Sequence, residues 1–217
     1  VNKKLSAIGG RHVHSFSFID RRGFLKYPIK SQFFKKNTNR EYYFCSDGPK
    51  TKFDEKNVNK VRKIIDNCKL NIVNKKYLKN NAGIRKIFYI GLNFVFKQEE
   101  KIIILEDDVI PSQSFFVFCD KLLDKYKHNP KISQIGGSNI NDSLSKKDSC
   151  SYFFSKYSNI WGWATWANKW KDYDNNFTHL TQLLNSDYLK KTIPNKSEYL
   201  FWKKYFCIHK KNTTKGT

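Results

Sequence analysis

Apolar residues follow two different periods along the chain, and these periods predict its secondary structure. Short apolar or aromatic runs predict strands, at residues 41–45, 70–73, 101–105, 131–135 and 151–155. Apolar positions three or four apart predict helices, at residues 57–68, 84–95, 115–126, 169–174 and 180–184. Ser112 or Ser114 is the candidate N-cap of the third helix. Because strands and helices alternate through residue 128, we expect an α/β domain with a mostly parallel central sheet flanked by helices.

The most apolar strand runs directly into three acidic residues, Glu106, Asp107 and Asp108. Open α/β sheets bind ligands outside the carboxyl ends of their strands. Alternate residues of an extended segment face the same way, so Glu106 and Asp108 share a face. Two carboxylates placed in this way suit Mg²⁺ or Mn²⁺, and such an ion would hold a diphosphate. The alternative is that the acids only cap the helix that follows.

Two further segments offer polar side chains near predicted strand ends. Asp47 follows the aromatic strand and could accept hydrogen bonds from a nucleoside, or else bond the backbone of its own loop. Arg85 and Lys86 lie in the first turn of the helix that starts after Gly83, which is the unfavourable end of the helix dipole for a cation. They could meet phosphates there, or be solvated surface charges.

A cluster of large rings surrounds one glycine late in the chain. Trp161, Gly162 and Trp163 are followed closely by Trp166. Large aromatic residues are usually core. A glycine that lets a ligand approach the backbone, flanked by tryptophan, also suits the wall of a sugar-binding site.

Composition restricts the candidate functions. The net charge is +22, but residues 1–40 hold ten lysines and arginines against one acid, and residues 190–217 hold eight lysines against one acid. Basic ends on a nearly balanced body favour tails or a surface for anionic lipid over a nucleic-acid groove. Five scattered cysteines without CxxC spacing favour a reducing cytosol over a disulfide framework or a zinc site. No apolar run approaches the length that spans a bilayer.

These motifs together resemble a known family. Glu106-Asp107-Asp108, then Pro111-Ser112 with Phe115-Phe116, and the segment 161–163 downstream are similar to the nucleotide-sugar-dependent glycosyltransferases of the GT-A (Rossmann-like) fold. The resemblance is to bacterial hemolytic-protein-like glycosyltransferases and, more distantly, to the N-acetylglucosaminyltransferase I group. It extends over roughly residues 41–175, and Asp47-Gly48-Pro49 and Asn81-x-Gly83 also match the bacterial pattern.

The resemblance implies a role for each matched residue. Asp108 would bind Mn²⁺ or Mg²⁺, in a DXD-like motif. The nucleotide-sugar donor would be held by the other matched residues and the candidate phosphate contact: Asp47, Asn81, Arg85, Glu106, Asp107, Trp161, Gly162 and Trp163. The implied reaction is an inverting sugar transfer to a hydroxyl of a glycan or glycolipid acceptor, in surface polysaccharide or lipopolysaccharide synthesis. The implied location is the cytoplasm, with peripheral contact at the inner, anionic face of the membrane.

The chain departs from the family pattern at its ends. Residues 1–40 match poorly, 41–189 form the expected nucleotide-sugar-binding domain, and 190–217 form a basic aromatic tail without the acidic segment that supplies a catalytic base. No base is identified. We therefore expect a GT-A domain that is incomplete at both ends, with impaired transfer. The alternative function is a nucleotide-binding relic of the same fold.

Overall fold

A computed structural model describes residues 14–19, 40–107, 109–139 and 151–214, with backbone alone for 14–19 and 209–214. Strands and helices alternate in its first part, and helices follow one another in its last part. In chain order the elements are β1 His14–Ile19, β2 Tyr42–Ser46, α1 Lys52–Asp66, β3 Ile72–Tyr77, α2 Ile84–Val95, β4 Lys101–Glu106, α3 Gln113–Tyr126, β5 Ile135–Gly136, β6 Trp163–Trp166, α4 Ala167–Trp170, α5 Leu180–Asn185, α6 Tyr188–Thr192 and α7 Lys196–Thr214.

The strands form one mixed sheet in the order β3-β2-β1-β4-β6-β5. The first four are parallel neighbours, whereas β6 runs antiparallel to both β4 and β5. The prediction of a mostly parallel α/β sheet is thus confirmed in part: three of the five described strand pairs are parallel. The chain moves outward from β2 to β3 and then crosses back to β4, on the far side of β1. The strand order therefore reverses between β1 and β4.

Helices cover both faces of this sheet, which explains why β4 is apolar at every interior position. Ile103 and Leu105 pack against α3, and Ile102 and Ile104 pack against α2. In β2, Tyr42 and Phe44 pack against α1, and Tyr43 and Cys45 face α2. Ser15 of β1 pairs with both Tyr42 and Ile103, so α1 and α3 lie on the same face. The chain passes from β2 through α1 to β3 in one direction, and from β3 through α2 to β4 in the opposite direction. Because both crossovers are right-handed, α2 lies on the other face of the sheet from α1.

Local signals set several helix boundaries. Helix α1 starts at Lys52, earlier than predicted, because Thr51 and Asp54 form a capping box: the Thr51 hydroxyl accepts from the Asp54 amide at 3.2 Å, and the Asp54 carboxylate accepts from the Thr51 amide at 3.1 Å. Helix α3 starts after Ser112, one of its two predicted N-caps, whose hydroxyl accepts from the Phe115 amide at 3.3 Å.

The strand predictions in the second half of the chain need correction. Residues 151–155 form no strand, and the strand predicted at 131–135 is reduced to Ile135–Gly136. The sixth strand is instead Trp163–Trp166, in the tryptophan cluster. Its two faces are both buried, so it lacks the alternation that marks a half-exposed strand. The expected domain began at residue 41, yet β1 lies in the middle of the sheet, hydrogen-bonded to β2 and β4.

The chain divides into two compact units between Lys171 and Asp172. The second unit contains α5, α6 and α7, and among its described side chains the buried apolar ones are Leu180, Leu189 and Ile193. Helix α7 continues to Thr214, into the segment predicted as a frayed tail. Within the described residues, none of the helices combines the length and the apolar character that crossing a membrane requires.

Candidate functional site

The carboxyl ends of β2, β1 and β4 lie at one level of the sheet. Ser46, the last residue of β2, pairs with Ile19, and Glu106, the last residue of β4, pairs with Phe18. Asp47 follows β2, and the acidic residues begin at the last residue of β4, so β1 alone separates the two positions in the sheet. Two strand spacings amount to roughly 10 Å. This edge includes the point where the strand order reverses, and sheets of this kind bind ligands there.

The carboxylate of Asp47 joins two loops at this edge. It is buried, and its Oδ1 accepts hydrogen bonds from the Gly48 and Ala82 amides, both at 2.8 Å. Its Oδ2 accepts from the Asn81 side-chain amide at 2.9 Å and from the Gly83 amide at 3.0 Å. Gly83 is the N-cap of α2, so this carboxylate supplies the negative charge that the first turn of α2 lacks. Contact between Asp47 and a nucleoside stays a prediction.

Arg62 of α1 strengthens the same junction and was not singled out from the sequence. Its Nη2 donates to the carbonyl oxygens of Asp47, at 2.9 Å, and Leu78, at 2.8 Å. Its Nε donates to the Ser46 hydroxyl at 3.3 Å, and its guanidinium lies 4.9 Å from the centre of the Tyr77 ring. Burial lowers the pKa of Arg62 below its ordinary value. The one available sequence signal was its position between Val61 and Ile65, on the buried side of α1.

The chain turns at the acidic end of β4. The Val109 amide donates to the carbonyl oxygen of Glu106 at 3.2 Å, and the side chains of Glu106 and Asp107 are half-buried. Helix α3 takes Ser112 as its N-cap and has no acid in its first turn, so its N-terminus does not depend on these carboxylates. Asp108, the predicted metal ligand, lies outside the described residues. Among the residues that are described, no three His, Cys, Asp or Glu side chains form a metal-binding group.

Gly162 lies beside this turn. A side-chain carbon added at Gly162 would lie 3.4 Å from Val109 Cγ1 and 3.6 Å from Leu105 Cδ2, the residues on either side of the acidic turn. The φ of Gly162 is +74°, which favours glycine. Its carbonyl oxygen accepts from the Gly137 amide at 2.8 Å. The two motifs, more than fifty positions apart, therefore meet at one end of β4.

The two tryptophans flanking Gly162 differ in environment. Trp163 is 6% exposed, pairs with Ile104 and packs in the core on the α2 face of the sheet. Its indole N–H has no hydrogen-bond partner among the described residues. Trp161 is 64% exposed, and its backbone is held by hydrogen bonds with Asn159 and Ser138. Trp163 is thus a core residue, and Trp161 is the ring that is accessible to a ligand.

Arg85 and Lys86 lie on the exposed side of the first turn of α2. This turn follows the loop that Asp47 holds, at the same edge of the sheet as the acidic turn. A contact between Arg85 and phosphate stays a prediction. The structure therefore assembles the predicted residues into two groups on either side of β1, one built on Asp47 and Asn81 and the other on Glu106, Asp107 and Gly162.

No family model and no curated protein matches the chain. Among solved structures, it is similar to 4-diphosphocytidyl-2C-methyl-D-erythritolsynthase from Anaerococcus prevotii DSM 20548, with 12% identity and a TM-score of 0.42 over 82% of this chain and 78% of that chain. A similarity of this size assigns neither a family nor an activity to the chain.

Proposed function

We propose that this chain binds a nucleoside-diphosphate sugar at the carboxyl edge of its sheet and transfers the sugar to a hydroxyl of a glycan or glycolipid. One observation carries the proposal: the acidic turn begins at Glu106, the last residue of β4, which is the strand at which the order of the sheet reverses. Neighbouring carboxylates repel one another, and a cation that they share lowers that repulsion. A divalent ion bound to a diphosphate would offset that repulsion.

The carboxylates of this turn fit a hard divalent cation. Asp108 would hold Mn²⁺ or Mg²⁺ directly, and Glu106 would contact the ribose or a metal-bound water. When bound, the ion supplies Lewis-acid stabilisation of the nucleoside diphosphate as it leaves. Arg85, in the first turn of α2, would add positive charge near the phosphates.

The other residues of the proposed site are assigned from their exposure and their hydrogen bonds. Trp161 would contact the donor sugar, because its ring is accessible and its backbone adjoins Gly162. Trp163 supports that segment from the core. Asp47 and Asn81 hold the loop that borders the nucleoside position, and Arg62 fixes the carbonyl groups behind it.

Isothermal titration of UDP and GDP, with and without Mn²⁺, tests the proposal. We expect binding of one of the two nucleotides in the presence of Mn²⁺, and its loss on addition of a chelator. Asp108→Asn and Glu106→Gln should each weaken metal-dependent binding by about tenfold or more, since the loss of even one hydrogen bond to a charged group costs about 1.5–3 kcal/mol. Glu55→Gln, an exposed carboxylate on α1, is the matched control and should bind as the unchanged protein does.

A product assay with nucleotide-sugars and a panel of glycan acceptors tests the transfer step. Metal-dependent binding without any product would identify a nucleotide-binding relic of the same fold. No nucleotide binding, or equal binding by Asp108→Asn and Glu55→Gln, would overturn the site itself.

A further inference from the structure

Residues 151–161 form an irregular segment that links the last turn of α3 with the proposed site. At its start, Tyr152 packs edge-on against Tyr126, the last residue of α3, with ring centres 6.3 Å apart. At its end, the Trp161 carbonyl oxygen accepts from the Ser138 hydroxyl at 3.2 Å, and the next residue is the glycine beside the acidic turn. The segment therefore leads directly to the edge of the sheet proposed to bind the donor.

Large apolar side chains follow one another along this segment and are exposed. They include Phe154 (65% exposed), Tyr157 (44%), Ile160 (48%) and Trp161 (64%). We call these four residues the 154–161 surface. Serine and asparagine occupy most positions between them, and Lys156 is the one charged residue of 151–161. Exposed apolar surface of this extent, rimmed by polar side chains, is typical of a binding site.

Phe154 is held in place by the tyrosines beside it. Its ring packs edge-on against Tyr126 at 5.7 Å and Tyr152 at 5.9 Å between ring centres. The two tyrosine hydroxyls lie 2.7 Å apart, and Lys125 Nζ donates to the Tyr152 hydroxyl at 2.7 Å. An exposed ring supported in this way loses little conformational entropy when a ligand covers it. Hydroxyl and ammonium groups lie next to that ring and can bond polar groups of the ligand.

The chemistry of the 154–161 surface suits a neutral sugar chain. A sugar ring presents a C–H face that packs on an aromatic ring, and hydroxyls around it that bond serine, asparagine and tyrosine side chains. Anionic lipids and nucleic acids are held by several cations, whereas this segment has a single lysine and no acid.

We propose that the 154–161 surface binds the acceptor as a linear, neutral oligosaccharide. The terminal sugar lies at Trp161, beside the proposed donor position, and the preceding sugars cover Tyr157 and Phe154. The proposal rests on the proposed function for the role of this chain as acceptor. It adds the length of the acceptor and a set of residues, Phe154, Tyr157 and Ile160, to which the resemblance gives no role.

Titration with linear oligosaccharides, without any nucleotide, tests the proposal. The probes are the maltose, cellobiose and chitobiose series, each from the monosaccharide to the hexasaccharide. We expect the affinity for one series to rise with chain length, because each further covered ring adds buried apolar area. Phe154→Ser should lower the affinity for the hexasaccharide by about tenfold and leave that for the monosaccharide unchanged.

Phe53→Ser, on α1, is the matched control because it removes a ring that is 84% exposed. It should bind every probe as the unchanged protein does, and circular dichroism should show both variants folded. Equal losses in the two variants, an affinity independent of chain length, or no binding of any series would overturn the proposal. Capture of a proline-rich peptide or of anionic vesicles that Phe154→Ser abolishes, without oligosaccharide binding, would overturn it too.

Failure of this proposal can be distinguished from failure of the proposed function. A protein that binds UDP or GDP with Mn²⁺ but binds no oligosaccharide contradicts the 154–161 surface alone. A protein that binds oligosaccharides in a length-dependent way but binds neither nucleotide contradicts the transferase and the acceptor role, and leaves a glycan-binding surface.

Discussion

The Asn81 side-chain amide donates to Asp47 Oδ2 at 2.9 Å and to the Gly48 carbonyl oxygen at 3.1 Å, joining two loops 34 positions apart. With the two backbone amides of residues 82 and 83, this bond satisfies a buried carboxylate entirely through the chain's own loops. The loop after β2 and the start of α2 are therefore held as one structure at the edge proposed to bind nucleotide.

Removing the Asp47 carboxylate should destabilise the fold more than removing the Asn81 amide. Asp47→Ala leaves several buried donors unpaired, so we expect the free energy of unfolding to fall by about 3 kcal/mol or more, and Asn81→Ala to lower it by about 1–2 kcal/mol. Urea denaturation measures both. Asp172→Ala, an exposed control, should change it by less than about 0.5 kcal/mol. A loss for Asp47→Ala no larger than that of the control would contradict this role.

Neighbouring glycines should respond differently to the same substitution. A side-chain carbon at Gly137 would lie 2.1 Å from Phe115 Cε2 and 2.8 Å from the Gly162 carbonyl oxygen, whereas at Gly136 the nearest described atom is 3.8 Å away. Gly137→Ala should therefore lower the free energy of unfolding by about 1–3 kcal/mol through overpacking, with Gly136→Ala close to neutral. Thermal unfolding followed by circular dichroism compares the two. Equal melting temperatures would show that Phe115 moves aside without cost.

Alanine substitutions of the two tryptophans beside Gly162 should have different effects, one on the stability of the fold and the other on sugar binding. Trp163→Ala creates a cavity in the core and should lower the free energy of unfolding by about 3–5 kcal/mol. Trp161→Ala should change it by less than about 0.5 kcal/mol, because its ring is exposed. If Trp161 contacts the sugar, its variant should bind the nucleotide-sugar more weakly yet bind the free nucleoside diphosphate unchanged. Titration of both ligands checks this, and an equal loss for both would remove Trp161 from the sugar wall.

The Tyr43–Glu99 pair should make stability depend on pH. The Tyr43 hydroxyl donates to Glu99 Oε1 at 2.6 Å, and burial raises the pKa of Glu99 above its ordinary value although this hydrogen bond opposes the shift. A raised carboxyl pKa contributes stability that is fully present below the unfolded-state pKa, about 4.3, and is lost as pH rises through the folded-state value.

Glu99→Gln removes this titration. We expect the free energy of unfolding of the variant, relative to the unchanged protein, to increase as pH rises from about 4 towards neutrality. Urea denaturation at a series of pH values measures the difference, with exposed Glu55→Gln as the control. A difference that stays constant, or that falls with pH, would show that Glu99 does not titrate with a raised pKa.

Features that depend on near neighbours were predictable from the sequence. The apolar run Ile102–Leu105 identified the central buried strand, Ser112 identified one helix start, and the stripe from Ile84 to Val95 identified another. Each of these signals lies within one element, where periodicity and capping act through residues a few positions apart. The acidic turn was located for the same reason, because it follows that strand directly.

The sequence by itself determined the strands and helices with a clear period, the acidic end of β4 and the α/β class. Tertiary structure alone decided that β1 lies between β2 and β4, that Trp163 is buried while Trp161 is exposed, and that Arg62 reaches two carbonyl groups of distant loops. Strand pairing and burial depend on which surfaces meet across long sequence separations. The packing of the whole sheet selects those contacts. A local pattern such as residues 163–166 does not specify which strands become neighbours.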